Sequence, residues 1–410
     1  MNESGPALLD YDPFSAAAMT DPYPLYRELR ATRPVFPLPR YDAFALSRFQ
    51  DVWGVIEDAA RFSIAEGPVF FPEVMGRPGD ASALEPWLPA RSFASWDPPV
   101  HTGLRQALHA HFRRGTVAGL EATARGISRE RLAALYPRGR FDVVGDFATP
   151  VAVGVSCQLL GLPPEDGPRL ARWSHRSQRR APGRAGMSED GVAAQAEMHA
   201  YMVERVRERR ARPSSVPAVI EALIGAELEG RHLPDADAAT QLVTLFVGGA
   251  ETLPKILAGG VRELARHPDQ RAAVAAEPAL VPGAFEEMVR HQGVLQSIGR
   301  TAKTDLEIFG LRVGRGQRLF LLLQSANRDE REFQDPDRFD VRRRPRRHLG
   351  FGHGPHHCIG IHLARVEGRA VLDELLRRVP EWEIDAAGLE RPPSEFQIGF
   401  TALPIEFAAR

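Results

Sequence analysis

A chain of 410 residues, 43% hydrophobic and 26% charged, has the balance of an ordinary globular protein with material for a large core. Its formal net charge of −1 gives no global attraction to nucleic acid or to an anionic membrane. Two cysteines, Cys157 and Cys358, cannot build a disulfide framework, which suits a reducing compartment.

Met1 to Pro6 lack the basic and apolar regions of a signal peptide, and no run approaches the roughly 20 uninterrupted apolar residues of a spanning helix, so a soluble cytoplasmic protein is expected. Asp21 to Arg30 reads as an early helix with proline in its first turn. Ala43 to Ser47 alternates like a strand, and Phe49 to Glu57 returns to helical spacing. Residues 64–98 are interrupted by proline and glycine, with Phe70, Phe71, Met75 and Trp87 among them; so long a loop with so many aromatics reads as a lid. Helical patterns follow over Val100 to Phe112, Thr116 to Leu135 and about Val144 to Leu160. A basic irregular stretch, Arg176 to Arg184, separates two further helices. From Pro234 to Arg266 one helical pattern runs about thirty residues, or roughly 48 Å. Another helix covers about Leu280 to His291, and strand character appears late, near Leu306–Phe309, Arg318–Leu323 and Phe396–Phe407. The expected fold is mainly α with small β-sheets, in one domain spanning 1–410. Positive charge is almost all arginine, since only Lys255 and Lys303 are lysines, and a GC-rich genome accounts for that bias.

Chemistry concentrates at Phe351 to Gly360, which reads Phe-Gly-His-Gly-Pro-His-His-Cys-Ile-Gly. A cysteine framed by glycines and followed by a helical pattern has the makings of a thiolate metal ligand. Gly352, Gly354 and Gly360 permit turns that let several backbone amides converge on one sulfur, and a helix N-terminus favours its negative charge. A buried structural cysteine in a glycine-rich loop is the plainer alternative. The run matches, at its defined positions, the haem-binding loop Phe-Gly-x-Gly-x-His-x-Cys-x-Gly, and on these residues the chain resembles the cytochrome P450 family. The resemblance extends over nearly the whole chain. It implies the family's triangular prism fold with a long central helix, haem b (iron protoporphyrin IX) as cofactor, and Cys358 as the axial ligand whose electron donation assists O–O cleavage. Phe351, His356 and Gly360 then belong to the haem-binding set. His353 and His357 lack the spacing of a zinc site and read as structural or surface residues.

The middle of the long helix violates helix preferences. Gly248 and Gly249 each cost about 1 kcal/mol against alanine and Pro254 about 3 kcal/mol. Both glycines would let a bulky ligand approach the backbone, and Pro254 leaves the Ala250 carbonyl without its donor, so a bend is expected there. A proline-kinked packing helix would look the same. The segment resembles the family's Ala/Gly-Gly-x-Asp/Glu-Thr pattern, and the resemblance implies a catalytic pair: Thr252 holds a hydrogen bond to the oxygen being activated and Glu251 links it to solvent water. Leu253 and Pro254 depart from the usual pattern and put the way the bend is held in doubt.

Carboxylates of a buried ligand need cationic or hydrogen-bonding partners. His101 and Arg105 stand four apart on one helical face after Asp97-Pro98-Pro99, a helix-start signal. By resemblance these two, with Arg300 and His356, hold the haem propionates. Glu287 and Arg290, three apart, can pair on one face. The resemblance makes them a buried structural pair joined by a third cation, for which Arg338 is the candidate.

The same resemblance builds the substrate pocket from Phe70, Phe71 and Met75, from Val243, Phe246 and Val247, and from Gln296-Ser297-Ile298 and Phe396-Gln397-Ile398. This lining predicts a medium-sized, largely apolar organic substrate. No flavin or iron–sulfur motif is present, so a separate ferredoxin and ferredoxin reductase are implied. Arg342, Arg343, Arg344, Arg346 and Arg347, with Arg113 and Arg114, are candidates to attract that acidic partner; each is otherwise a solvated residue. No nucleic-acid or membrane partner is expected. The leading reading is a monooxygenase that hydroxylates or epoxidises. Oxidative coupling, desaturation or rearrangement, a peroxide-driven enzyme, and a non-catalytic haem-binding protein are the alternatives.

Overall fold

Helices account for most of this computed structural model, which describes residues 10–71, 75, 92–180 and 186–409. Helix α1 spans Tyr23–Thr32, with proline in its first turn. Helix α2 (Phe49–Glu57) buries Phe49, Val52, Val55 and Ile56, and α3 (Val100–Phe112) buries His101, Leu104, Leu108 and Phe112. Spacings of three and four turn one stripe inward, and both helices begin and end where the periodicity predicts. The pattern over Thr116 to Leu135 is instead divided into a short helix, Arg114–Ala118, and α4 (Glu121–Leu135). Val144 to Leu160 also divides, into a π-turn over Val143–Ala148 and α5 (Thr149–Leu160). Pro150 has no N–H for the Asp146 carbonyl, which accepts from Arg131 Nε at 3.0 Å.

Helices α6 (Gly167–Ser177) and α7 (Glu189–Ala211) flank the basic stretch, of which residues 181–185 lie outside the described ones, as Trp87 does in the earlier loop. The long pattern is two helices, α8 (Asp235–Ala250) and α9 (Thr252–Arg266), joined at Glu251 with φ −100° and ψ −29°. Pro254 withholds a donor there, and the Thr252 hydroxyl donates to the Gly248 carbonyl at 2.7 Å, a side-chain bond that loosens helices. Helices α10 (Pro268–Ala276), α11 (Val281–Gln292) and α12 (Ile361–Arg378) follow, and short helices cover Ala16–Thr20, Val219–Gly225 and Leu323–Ala326.

Strands β1 (Val35–Leu38), β2 (Ala43–Leu46), β3 (Phe62–Ser63), β5 (Ile298–Ala302) and β6 (Arg318–Leu321) form one sheet in the order β1-β2-β6-β5-β3. Strand β6 runs parallel to β2, and Leu319 opposite Arg300 sets the register of β5. A second sheet joins β4 (Arg140–Asp142), β7 (Glu383–Ile384) and β8 (Pro404–Glu406) in the order β7-β8-β4. Of the strand expected over Phe396–Phe407 only β8 pairs continuously; Gln397 and Ala402 make single bridges. Leu306–Ile308 pairs with Leu311–Val313 in a separate hairpin.

A single apolar cluster runs from Phe93 to Ile405 through the helices, and two smaller clusters lie against the larger sheet. Judged by average composition rather than uninterrupted runs, Val143–Leu160 and Asp235–Arg266 are long and apolar enough to cross a membrane, but 61% of each is buried inside the protein. They are core helices.

Candidate active site

The loop before α12 owes its path to two glycines. Gly352 and Gly354 have φ of 68° and 65°, in the left-handed region, and a Cβ on Gly354 would meet the Ile56 carbonyl at 2.8 Å. Gly360 differs from expectation: its φ is −85°, open to any residue, and its contribution is an N–H directed at Cys358 Sγ. Where several amides were expected, Gly360 alone is a backbone donor to the sulfur among the described residues. Burial pushes the Cys358 thiol up, while the Gly360 N–H and the charges of Arg105 and Arg365 pull it down. The Cys358 N–H donates to the Phe351 carbonyl at 2.9 Å, closing the loop, and the Arg365 guanidinium lies 5.3 Å from the Phe351 ring centroid. His353 stacks on Trp53 at 3.5 Å, tying the loop to α2, so its role is structural.

Beside the sulfur, α3, β5 and the cysteine loop bring together residues more than 250 positions apart. The rings of His101 and His356 stack at 3.8 Å. Among the described residues, His101 Nδ1, His101 Nε2 and His356 Nε2 have no hydrogen-bond partner. Arg300, 3% exposed, spends one N–H on the Gly299 carbonyl at 2.7 Å and meets no carboxylate among the described residues. Burial, then Arg105, pulls His101 down to about 4; burial, then His101, Arg300 and Arg105, pulls His356 down to about 3; burial lowers Arg300 to about 10. Buried polar groups are normally satisfied, and each orphan costs about 1–3 kcal/mol. Several in one place fit an anion with multiple acceptor oxygens. A cavity of about 450 Å³ passes from His101 and Arg105 along Cys358 to Arg113 and His362. A macrocycle carrying carboxylates, with a metal open to the sulfur, fits this donor set.

Gly248 faces open space, since a methyl group in place of its hydrogen would meet nothing within 4 Å, as a ligand-facing glycine requires. Gly249 does not: a Cβ there would lie 2.8 Å from Ser156 Oγ, so its smallness serves the packing of α8 on α5. Glu251 is buried, at 8% exposure, and accepts from Lys255 Nζ at 3.3 Å, while the same Nζ donates to Gln397 Oε1 at 2.6 Å. A second cavity of about 450 Å³ reaches Glu251 and Lys255 from the Arg172, His175, Arg176 and Arg179 side of α6. Lys255 escaped the sequence reading although a visible signal existed: it is one of two lysines and stands one turn after the acid.

The Glu287–Arg290 pair is fully buried and bidentate, with both N···O distances 2.7 Å. Its third member is Arg343, whose Nε lies 3.1 Å from Glu287 Oε1, and not Arg338, which is exposed and offers only its carbonyl. Arg343 and Arg347, paired with Glu332, therefore leave the partner-facing set, while Arg113, Arg114, Arg342, Arg344 and Arg346 are exposed. Three expected pocket residues are core or scaffold. Phe70 packs on Gly299 and Phe320, Met75 is fully buried in an apolar cluster, and Gln296 bonds Tyr26 and the carbonyls of Ala18 and Ser394.

A mostly helical fold with small sheets, a cysteine at the mouth of its last long helix and a buried cluster of arginine and histidine donors beside it has the features of the haem-thiolate class. The profile of the cytochrome P450 family matches residues 184–408. Putative cytochrome P450 123 of Mycobacterium tuberculosis is 33% identical over 400 residues, covering 97% of each chain, and a steroid C26-monooxygenase of the same organism is 31% identical over 386 residues, covering 93% of this chain and 92% of its own. The solved structure of CYP108D1 from Novosphingobium aromaticivorans superposes with TM-score 0.84 at 31% identity, covering 98% of this chain and 97% of that one. The chain belongs to the cytochrome P450 family and is a P450 monooxygenase, and membership implies a haem cofactor.

Proposed function

We propose that this chain is a cytoplasmic haem b monooxygenase, acting as one domain over 1–410, that oxidises a medium-sized, largely apolar organic molecule with electrons from a ferredoxin and its reductase. Cys358 would ligate the haem iron through its sulfur, and His101, Arg105, Arg300 and His356 would hold the haem carboxylates. The observation that carries this reading is the group of orphaned nitrogens of His101 and His356 in the same cluster as Arg105, Arg300 and Cys358. When bound, the haem supplies oxygen activation, in which one atom of O2 enters the substrate and the other leaves as water, with the thiolate favouring O–O cleavage.

The protein's part is positioning and proton control. Arg105 and Arg300 donate charged N–H bonds to carboxylates in a buried site, where such bonds are strong. Gly248 leaves the space that the cofactor and substrate need beside α8. The Thr252 hydroxyl keeps its hydrogen on the Gly248 carbonyl, so its lone pairs remain free to accept and fix a hydrogen bond at the bend. Glu251, the acid next to that bend, holds and passes the proton. Val243, Val247, Ile298 and Phe396 supply an apolar wall suited to a substrate held by few polar contacts. The exposed Arg113, Arg114, Arg342, Arg344 and Arg346 draw in an acidic electron donor.

The test is spectroscopic. Reduced, CO-treated protein is expected to give the thiolate-type Soret band, and Cys358→His is expected to lose it while still binding haem. Retention of that band by the variant removes Cys358 from the ligand role. Incorporation of label from 18O2 into a compound that shifts the Soret band to shorter wavelength then tests the reaction class.

A further inference from the structure

The chain's buried ion pairs have a pattern with one exception. Among the described residues, the pairs with both side chains under 15% exposed are Arg180–Glu395, Arg290–Glu287, Arg343–Glu287, Arg318–Glu66 and Lys255–Glu251. Four use arginine, as expected of a sequence with two lysines among 52 basic residues. The fifth uses lysine, and it is the one that touches Glu251. Genome bias explains why arginine is everywhere else and gives no reason for lysine here. The chemical difference is that a guanidinium never gives up its proton in a protein, whereas a buried ammonium can.

The surroundings of Lys255 are built rather than incidental. Its Nζ lies between Glu251 Oε2 at 3.3 Å and Gln397 Oε1 at 2.6 Å. Gly399, with φ +150°, lets the C-terminal loop lie against the lysine stem, since a Cβ there would be 2.9 Å from Lys255 Cβ. The second cavity opens on both Glu251 and Lys255 and leads to α6. The charged groups facing this point are Glu251 on the same helical run, Glu395 with its partner Arg180, Arg172, His175 and Arg176 from α6, and Arg179 just after it, of which Arg176 is committed to Asp190 and Glu197. Among the described residues that line the cavity, Glu251 is the only carboxylate.

We propose that Lys255 is the outer station of proton delivery, a positioning residue that passes a proton from cavity water to Glu251. The inference rests on the role given above to Glu251 and Thr252. In the step, one N–H bond of the ammonium breaks and an O–H bond forms on the carboxylate, leaving a neutral amine and a carboxyl; cavity water then reprotonates the amine, and no electron moves. Burial brings the ammonium down from the ordinary lysine range, with Glu251 opposing and Arg180 assisting, which narrows the gap that the proton must cross. Gln397 holds the amine in place in either state because its amide can turn to accept or donate.

With two lysines in the chain, side-chain 15N-lysine NMR of the diamagnetic reduced, CO-bound holoenzyme gives two signals, assigned by Lys303→Arg. Lys255 is expected to titrate below Lys303, and Glu251→Gln is expected to move it lower still. Titration together with Lys303, or indifference to Glu251→Gln, overturns the proposal. The kinetic arm is substrate-free NADH oxidation driven by a surrogate ferredoxin and reductase, in H2O and D2O. Lys255→Arg, which keeps the charge and cannot release the proton, is expected to slow it on the order of 10- to 100-fold, raise the solvent isotope effect and abolish the alkaline limb of the pH profile. An unchanged profile and isotope effect overturn the proposal. If Glu251→Gln and Thr252→Ala leave the ratio of peroxide to water unchanged, the underlying relay fails instead. Should Lys255→Arg lose its haem, the wild-type titration decides alone.

Discussion

Arg290 and Arg300 stand on consecutive elements and are both buried, at 0% and 3% exposure, yet their surroundings are opposite. Arg290 meets both oxygens of Glu287 and the carbonyls of Asn327 and Pro336, and Arg343 shares the same carboxylate. Among the described residues, Arg300 has one carbonyl, no carboxylate, and three orphaned histidine nitrogens in its cluster. The first group is complete as folded and holds the scaffold. The second has no answering carboxylate among the described residues, as the proposed haem-carboxylate site requires. Burial alone does not separate structure from function; whether the charge is answered from within the chain does.

The comparison breaks most severely at Glu287. Glu287→Gln leaves two buried guanidiniums facing an amide, and the expected loss is about 3–5 kcal/mol, read as a fall in the denaturation midpoint or failure to fold. A smaller effect is expected at the neighbouring Glu286. Burial would raise its pKa, but hydrogen bonds and charge from His348 and Arg365 carry it down to about 2. A depressed carboxyl contributes stability above its ordinary value near 4.5 and loses it as pH falls toward 2. Glu286→Gln is expected to remove an acid-sensitive contribution on the order of 2–3 kcal/mol, and parallel stability curves for variant and wild type between those limits would discard the assignment.

Arg300→Leu sharpens the contrast, because its sign depends on the ligand. Without haem it removes an unanswered buried charge and is expected to leave stability equal or higher. With haem it is expected to speed transfer to apomyoglobin on the order of tenfold, through loss of a charged hydrogen bond. Equal destabilisation of both forms would make Arg300 a scaffold residue like Arg290. The smallest test compares adjacent glycines. Gly248→Ala meets nothing and gains about 1 kcal/mol of helix preference in the haem-free protein, whereas Gly249→Ala must displace Ser156 Oγ and gains less. Equal thermal midpoints would erase the distinction between a ligand-facing and a helix-facing glycine.

Much of this was legible in the chain. The bounds of α2 and α3 followed from apolar spacing, and the bend at Glu251 from Pro254, because these depend on residues within a turn or two. The cysteine loop declared itself by six defined positions in ten residues. What escaped were choices among distant partners: Arg343 rather than Arg338 beside Glu287, Gln296 and Met75 inside the scaffold rather than at the pocket, Gly249 against Ser156, and Lys255 between Glu251 and Gln397.

The order of residues by itself determined which stretches coil, where the central helix yields and which cysteine has the setting of a ligand, since backbone preference and side-chain periodicity act locally. Only the tertiary structure decided which charges find an answer and which are left waiting. That depends on what a helix at residue 101, a strand at 300 and a loop at 356 present to one another, and no local rule contains it.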